Sequence, residues 1–181
     1  MDALQEQFYT IEDIYGLPDG ERAELVDGQI YYMAPPRTRH QRLVMFISRK
    51  IANYIDEQKG LCEVLPAPFA VFLNKDDLNY FEPDISVICD RDKLDEKGCN
   101  GAPDWVVEIV SPGSNKMDYV IKTYKYMDAG VREYWIVDPE KNKITVHDFT
   151  GDNINEYTCQ SQVPSLVLEG FKIDFTDLQE W

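Results

Sequence analysis

Three short apolar runs dominate the middle of the chain: "ISVI" after Asp84, "WVVEIV" from Trp105 and "EYWIV" from Glu133. Each is too short for a helix and too continuous for a half-exposed strand, which alternates apolar and polar positions. Runs of this kind suit strands covered on both faces. Two segments with helical spacing accompany them. In "TRHQRLVMFISRKIANYIDEQKG", Leu43, Phe46, Ile47, Ile51, Tyr54 and Ile55 form one stripe that stops at Gly60. The second, "NKMDYVIKTYKYMDAG", ends at Gly130. Helices flanking doubly covered strands predict an α/β fold with three layers, α/β/α, around a mixed central β-sheet. No repeat or linker divides the 181 residues, so they read as one domain, 1–181.

Local signals fill in the rest. Thr10 precedes a short helix, "IEDIYGLP", that Pro18 stops. Asp27-Gly28 between apolar flanks predicts a hairpin. Pro66 and Pro68 interrupt a strand and predict a bend or a sheet edge. The acidic stretch "DRDKLDEKGCNGAP" reads as a mobile surface loop. "EKNK" reads as a turn before an alternating strand, "KITVHDF", and the tail as further short strands and a closing segment.

Glu108 breaks the apolar pattern from within "WVVEIV". An ionised carboxylate there is costly unless it is paired, protonated or bound to a metal. Asp84 opens a neighbouring run. If the two strands pair, their carboxylates converge, and either one takes up a proton or a cation bridges them. Oxygen ligands favour magnesium or manganese. On the next helix, Asp118, Lys122 and Tyr126 recur every fourth residue and share a face. Spacing alone makes Asp118 and Lys122 an exposed pair, because Met117, Val120, Ile121, Tyr124 and Met127 form the more obvious buried stripe opposite. Tyr126 reads as a packing residue. Glu133 and Asp138 read as edge solvation and a turn cap, and Ser111 as a strand-ending turn. Arg37, Arg39, Arg42, Arg49 and Lys50 read as the solvated side of the first long helix.

A net charge of −15 and a pI of about 4.4 oppose loose binding to nucleic acid or anionic membranes. The start, "MDALQEQFYT", lacks the pattern of a signal peptide, and no apolar run is long enough to span a membrane. A cytoplasmic protein is expected. Cys62, Cys89, Cys99 and Cys159 form no C-x-x-C pair, which predicts reduced thiols rather than a zinc site. His40 and His147 are the only imidazoles, which further weakens zinc chemistry.

The stretches "AELVDGQIYYMAPP", His40 at the following helix, "EPDISVICD", "GAPDWVVEIVSPGS" and "DYVIKTYKYMDAGVREYWIVDP" resemble the Uma-two family of restriction endonucleases. That family is similar to the PD-(D/E)XK nuclease superfamily. The likeness runs from Ala23 to Asp138 and on through Phe149. It implies a restriction-endonuclease-like fold and a magnesium- or manganese-dependent endonuclease that hydrolyses DNA phosphodiester bonds, with a homodimer as its assembly. It also implies that Asp84 and Glu108 bind the metal and that the Ile109 carbonyl reaches it. Val110 stands where the superfamily places its lysine, and Lys122 matches the displaced position that the family uses instead. Glu24 and His40 match recurrent positions, which implies that they line the same cleft; read alone, Glu24 is equally an exposed strand residue beside the Asp27-Gly28 turn and His40 a helix-entry residue satisfied by local backbone. Val110 and the acidic charge motivate a competing expectation, a non-catalytic binding or assembly module that keeps the fold.

Overall fold

The computed structural model describes residues 7–74, 76–114 and 116–178. Residues 1–6, 75, 115 and 179–181, on which parts of the readings of the start, the second helix and the tail fall, lie outside them. Asp13 accepts from the Thr10 N–H at 2.7 Å and caps helix α1 (Ile11–Tyr15). Strands β1 (Ala23–Val26) and β2 (Gln29–Tyr32) pair around Asp27 and Gly28, whose φ angles of 49° and 74° are those a tight hairpin turn requires. The long helix α2 (Thr38–Glu57) follows. Next come β3 (Glu63–Pro66), β4 (Val71–Phe72), β5 (Ile85–Ile88), β6 (Cys99–Asn100) and β7 (Trp105–Ile109). A π-helical turn (Met117–Lys122) runs into α3 (Thr123–Ala129), which Gly130 ends at φ 92°. The remaining strands are β8 (Glu133–Asp138), β9 (Lys143–Asp148), β10 (Asn153–Thr158), β11 (Gln162–Pro164) and β12 (Lys172–Asp174).

The central sheet has the order β10-β9-β8-β7-β5-β3 and is parallel only between β7 and β8. Pro66 ends the outermost strand, β3, where a missing N–H does least harm. Ile85, Val87, Trp105, Val107, Trp135 and Val137 pack on one face with α2 and the β11–β12 segment. Ile88, Val106, Val110, Tyr134 and Ile136 pack on the other with Val26, Phe81 and Tyr126. Each fully buried apolar side chain contributes about 1.5–3 kcal/mol. Both faces of β5, β7 and β8 are therefore covered, as their continuous apolar runs predict. The hairpins share the outer layers with the helices. Among the described residues no helix is long and apolar enough to cross a membrane.

Three expectations need correction. The acidic loop does lie at the surface, with residues 90–92 and 95–97 exposed, but it is not without structure: a 3-10 turn (Arg91–Lys93) leads to β6, which pairs with β4, and Cys99 is buried. Glu133 is not solvated at an edge. Strand β8 lies between β7 and β9, and the buried Glu133 carboxylate accepts from Trp135 Nε1 at 2.6 Å, Ser165 Oγ at 2.8 Å and the Leu166 and Val167 N–H groups at 2.9 Å. Asp138 does cap its turn, accepting from the Lys141 N–H at 3.0 Å.

The third correction concerns the thiols. Cys62 and Cys89 are joined in a disulfide. They flank the paired residues Glu63 and Ile88 at the end of the β3–β5 ladder, so the register sets them side by side although 27 positions separate them. Cys99 and Cys159 remain free and buried, and burial pushes both thiols up to about 11. Unreduced, denatured protein is therefore expected to release two equivalents in a thiol titration, and reduced protein four. Native unreduced protein is expected to react only slowly. Four fast thiols without reductant would rule out the cross-strand bond.

Candidate active site

The site forms where β5 begins and β7 ends. Ile85 pairs with Val107 in the antiparallel β5–β7 ladder, so the next position brings Asp84 opposite Glu108. The backbone ties the two together. The Ile109 N–H donates to Asp84 Oδ2 at 2.7 Å, and the Asp84 N–H approaches Glu108 Oε2 at 3.4 Å. His40, in the first turn of α2, places Nε2 3.1 Å from the same Asp84 oxygen.

Glu108 points to the face covered by the π-turn and α3. Its Oε1 accepts from Lys122 Nζ at 2.8 Å and from the Tyr126 hydroxyl at 2.7 Å. Lys122 Nζ also lies 2.9 Å from Glu24 Oε2 and 3.9 Å from Asp118 Oδ1. Glu24 reaches the site from β1, and its Oε1 accepts from the Glu82 N–H at 3.1 Å. Ser114 Oγ donates to Asp118 Oδ2, and the Tyr134 hydroxyl donates to the Asp118 carbonyl. Glu24, Glu108, Asp118 and Lys122 are each 5% exposed or less, so this ion cluster is buried rather than superficial.

The second helix is thus turned opposite to the expectation from its apolar stripe. Asp118, Lys122 and Tyr126 face inward, while Val120, Tyr124 and Met127 are 46%, 64% and 48% exposed. The π-turn explains part of this. It holds more residues per turn than an α-helix, so residues four apart lag slightly over 118–122 and lead slightly over 122–126. The two drifts offset and keep the three side chains in line. Electrostatics supply the rest, because Glu108 in the sheet demands a cation from the element above it.

Desolvation raises Glu108 well above the ordinary carboxylate range, Lys122 pulls it down, and Asp84, Asp118 and Glu24 add to the rise. Burial opposes the charge on Lys122, but Glu108, Glu24 and Asp118 outweigh it and hold the ammonium well above the ordinary lysine range. Burial pushes Asp118 up to about 6, against the Lys122 charge and the Ser114 hydrogen bond. Burial lowers His40, but the Asp84 hydrogen bond and charge, with the Ile109 backbone, raise it on balance.

The raised Asp118 carboxyl has a measurable consequence. A carboxyl raised in the folded state loses stability as pH climbs from its unfolded to its folded value. Asp118→Asn removes that titration. Its stability relative to the unmodified protein is expected to improve by about 2 kcal/mol between pH 4 and pH 6, because a tenfold change in proton affinity is worth about 1.4 kcal/mol. Urea unfolding of both proteins across that range checks this. A difference that does not change with pH would contradict it.

Among the described residues, no three His, Cys, Asp or Glu side chains are grouped to hold a metal unaided. Magnesium rarely needs such a cage. It takes one or two carboxylates and completes its shell with water and phosphate oxygens. Asp84 and Glu108 meet that requirement, and the surplus of carboxylates over Lys122 gives the pocket an unmet demand for positive charge. The all-oxygen donors suit magnesium or manganese better than zinc.

Spacing carries a further signal. Ser114, Asp118, Lys122 and Tyr126 form an unbroken every-fourth series. The apolar stripe masks it, so the inward roles of Ser114, Asp118 and Tyr126 do not emerge from the sequence.

A three-layer fold with adjoining acidic strand ends, and a lysine delivered by the flanking helix, defines the restriction-endonuclease-like class. Over 93% of this chain and 96% of the other, the structure superposes with a TM-score of 0.76 and 20% identity on a crystal structure described as "a putative nuclease belonging to DUF820 from Anabaena variabilis ATCC 29413". The chain belongs to the Uma2 family, described as "Putative restriction endonuclease", whose model matches residues 5–178. It is also 32% identical over 99 residues to "Uncharacterized protein slr1290" of Synechocystis sp., a match over 54% of this chain and 50% of that protein. It therefore spans about half the length of that curated relative. At 20% identity the superposition shows a shared fold.

Proposed function

We propose that the protein is a metal-dependent endonuclease that hydrolyses DNA phosphodiester bonds, with residues 1–181 acting as one nuclease unit. The observation that carries this is Lys122 Nζ at 2.8 Å from Glu108 Oε1. A lysine reaches the acidic pair although Val110 occupies its usual place. That answers the part of the argument for a non-catalytic module that rests on Val110, while the net charge of −15 still favours it.

Asp84 and Glu108, with the Ile109 carbonyl, would hold magnesium or manganese. When bound, the cation neutralises phosphoryl oxygens and lowers the pKa of a water. The protein groups divide the remaining work. Lys122 keeps its proton because three carboxylates hold it there, so it serves as a fixed positive charge rather than a base. That charge opposes the negative charge that develops on the phosphate. Glu24 and Asp118 fix the ammonium, and Glu24 is itself anchored by the Glu82 N–H. His40 and the Ile109 N–H fix Asp84. Arg39 and Lys50 are engaged within the protein, with Pro139 and Asp177. Two of the five basic residues around α2 are thus tied up, and the site cation would supply shielding of the phosphate charge. A homodimer that cuts both strands fits this role, whereas the Cys62–Cys89 disulfide removes the reduced thiols on which the cytoplasmic expectation rested.

Incubating plasmid and single-stranded DNA with magnesium or manganese tests the proposal. Cleavage is expected from the unmodified protein and not from Asp84→Asn. Equal cleavage by both would point to a contaminant, and no cleavage under any condition would favour a binding module on the same fold.

A further inference from the structure

Tyr126 reads from sequence as packing, and its ring does pack. It lies 5.7 Å from the Phe81 ring and 5.0 Å from the Tyr134 ring, with no exposed surface. Packing alone would be served by phenylalanine. The hydroxyl donates to Glu108 Oε1, the oxygen that also accepts from Lys122 Nζ. Two donors at 2.7 and 2.8 Å occupy that oxygen. Among the described residues, the one contact to Glu108 Oε2 is a long one of 3.4 Å from the Asp84 N–H. The two oxygens of one buried carboxylate thus have separate surroundings: Oε1 is committed to the helix, and Oε2 is left on the side of Asp84.

Resting on the metal-dependent proposal above, we propose that Tyr126 is a positioning residue. With Lys122, it fills Glu108 Oε1 so that Oε2 alone is presented, beside Asp84, to the cation. The clamped ring prevents the hydroxyl from swinging away, so the orientation of Glu108 is set before any ligand arrives. Groups that orient a metal-binding carboxylate in this way commonly change metal affinity by about 10–100-fold.

Manganese titration of the protein alone, followed by the electron paramagnetic resonance of the free ion, tests this without a cleavage assay. Four proteins are compared: unmodified, Tyr126→Phe, Tyr134→Phe and Glu108→Gln. Tyr126→Phe keeps the ring, and its metal-free melting temperature is expected to stay within a few degrees of the unmodified protein. Its manganese Kd is expected to rise at least about tenfold. Tyr134→Phe removes another buried hydroxyl from the same ring cluster, but one that donates to the Asp118 carbonyl, and is expected to bind as the unmodified protein does. Unchanged affinity in Tyr126→Phe overturns the positioning role and leaves the metal site standing. Equal weakening in both tyrosine variants also overturns it, since loss of any buried hydroxyl from the ring cluster would then be the cause. If the unmodified protein binds no manganese, or Glu108→Gln binds it equally well, the metal-dependent proposal falls and takes this one with it.

Discussion

Glu108→Gln is expected to lower DNA cleavage by about a thousandfold or more while leaving the fold as stable as before, or more stable. The two effects have one cause. Glu108 sits within an apolar strand, and its burial raises it well above the ordinary carboxylate range. A carboxylate that resists ionisation is a cost to folding, and that cost grows as pH rises through its folded value. Glutamine has the same size, still offers an oxygen to Lys122 and Tyr126, and carries no charge to desolvate. The variant should therefore gain stability relative to the unmodified protein between pH 5 and pH 8, while losing the negative charge that attracts a cation. Urea unfolding at both pH values, paired with a plasmid-cleavage time course, reads both effects. A variant that is inactive because it has unfolded, or one that cuts normally, would contradict this role for Glu108.

Lys122→Met should show the opposite stability pattern together with loss of activity. Methionine matches the length of the lysine stem but leaves Glu24, Glu108 and Asp118 without their shared cation. Removing one partner of a buried ion pair commonly costs about 3–5 kcal/mol. The surviving carboxylates can escape part of that penalty by binding protons. The destabilisation should therefore be largest at pH 8 and shrink toward pH 5. Cleavage is expected to fall at least about a hundredfold at every pH, because protonation of the acids does not restore a positive charge. Equal stability at pH 8 would mean that Lys122 is not the counter-charge of the cluster.

The strands were legible because hydrophobicity is additive and local. "ISVI", "WVVEIV" and "EYWIV" could only be covered on both sides, and β5, β7 and β8 are. Asp27-Gly28 and Pro66 act through their own backbone preferences and needed no tertiary context. The facing of the helix above the sheet was not legible in the same way. Its apolar stripe predicts Val120, Tyr124 and Met127 inside, yet they are exposed. The demand that inverts it comes from Glu108, 14 residues before Lys122 in sequence and on another element. A helix-period count treats each helix alone and cannot register a charge waiting in the sheet. The same limit hid the Cys62–Cys89 bond, which depends on the β3–β5 register. The acid pair itself was accessible because Asp84 opens one apolar run and Glu108 interrupts another, and the pairing of those runs places them opposite one another. Glu24 and His40 entered only through family resemblance. Glu24 now meets Lys122, and His40 meets Asp84, through contacts between elements far apart in the chain.

The central claim is that Glu108 occupies an apolar strand because, with Asp84, it holds a divalent cation that Lys122 and Tyr126 leave room for. The most direct measurement is a manganese-soaked crystal structure with anomalous scattering. One manganese peak bridging the Asp84 and Glu108 carboxylates is predicted, with Lys122 still bound to Glu108 Oε1. The claim is contradicted if, under soaking that saturates surface acids, the space between those carboxylates stays empty, or if Lys122 turns away from Glu108 toward solvent.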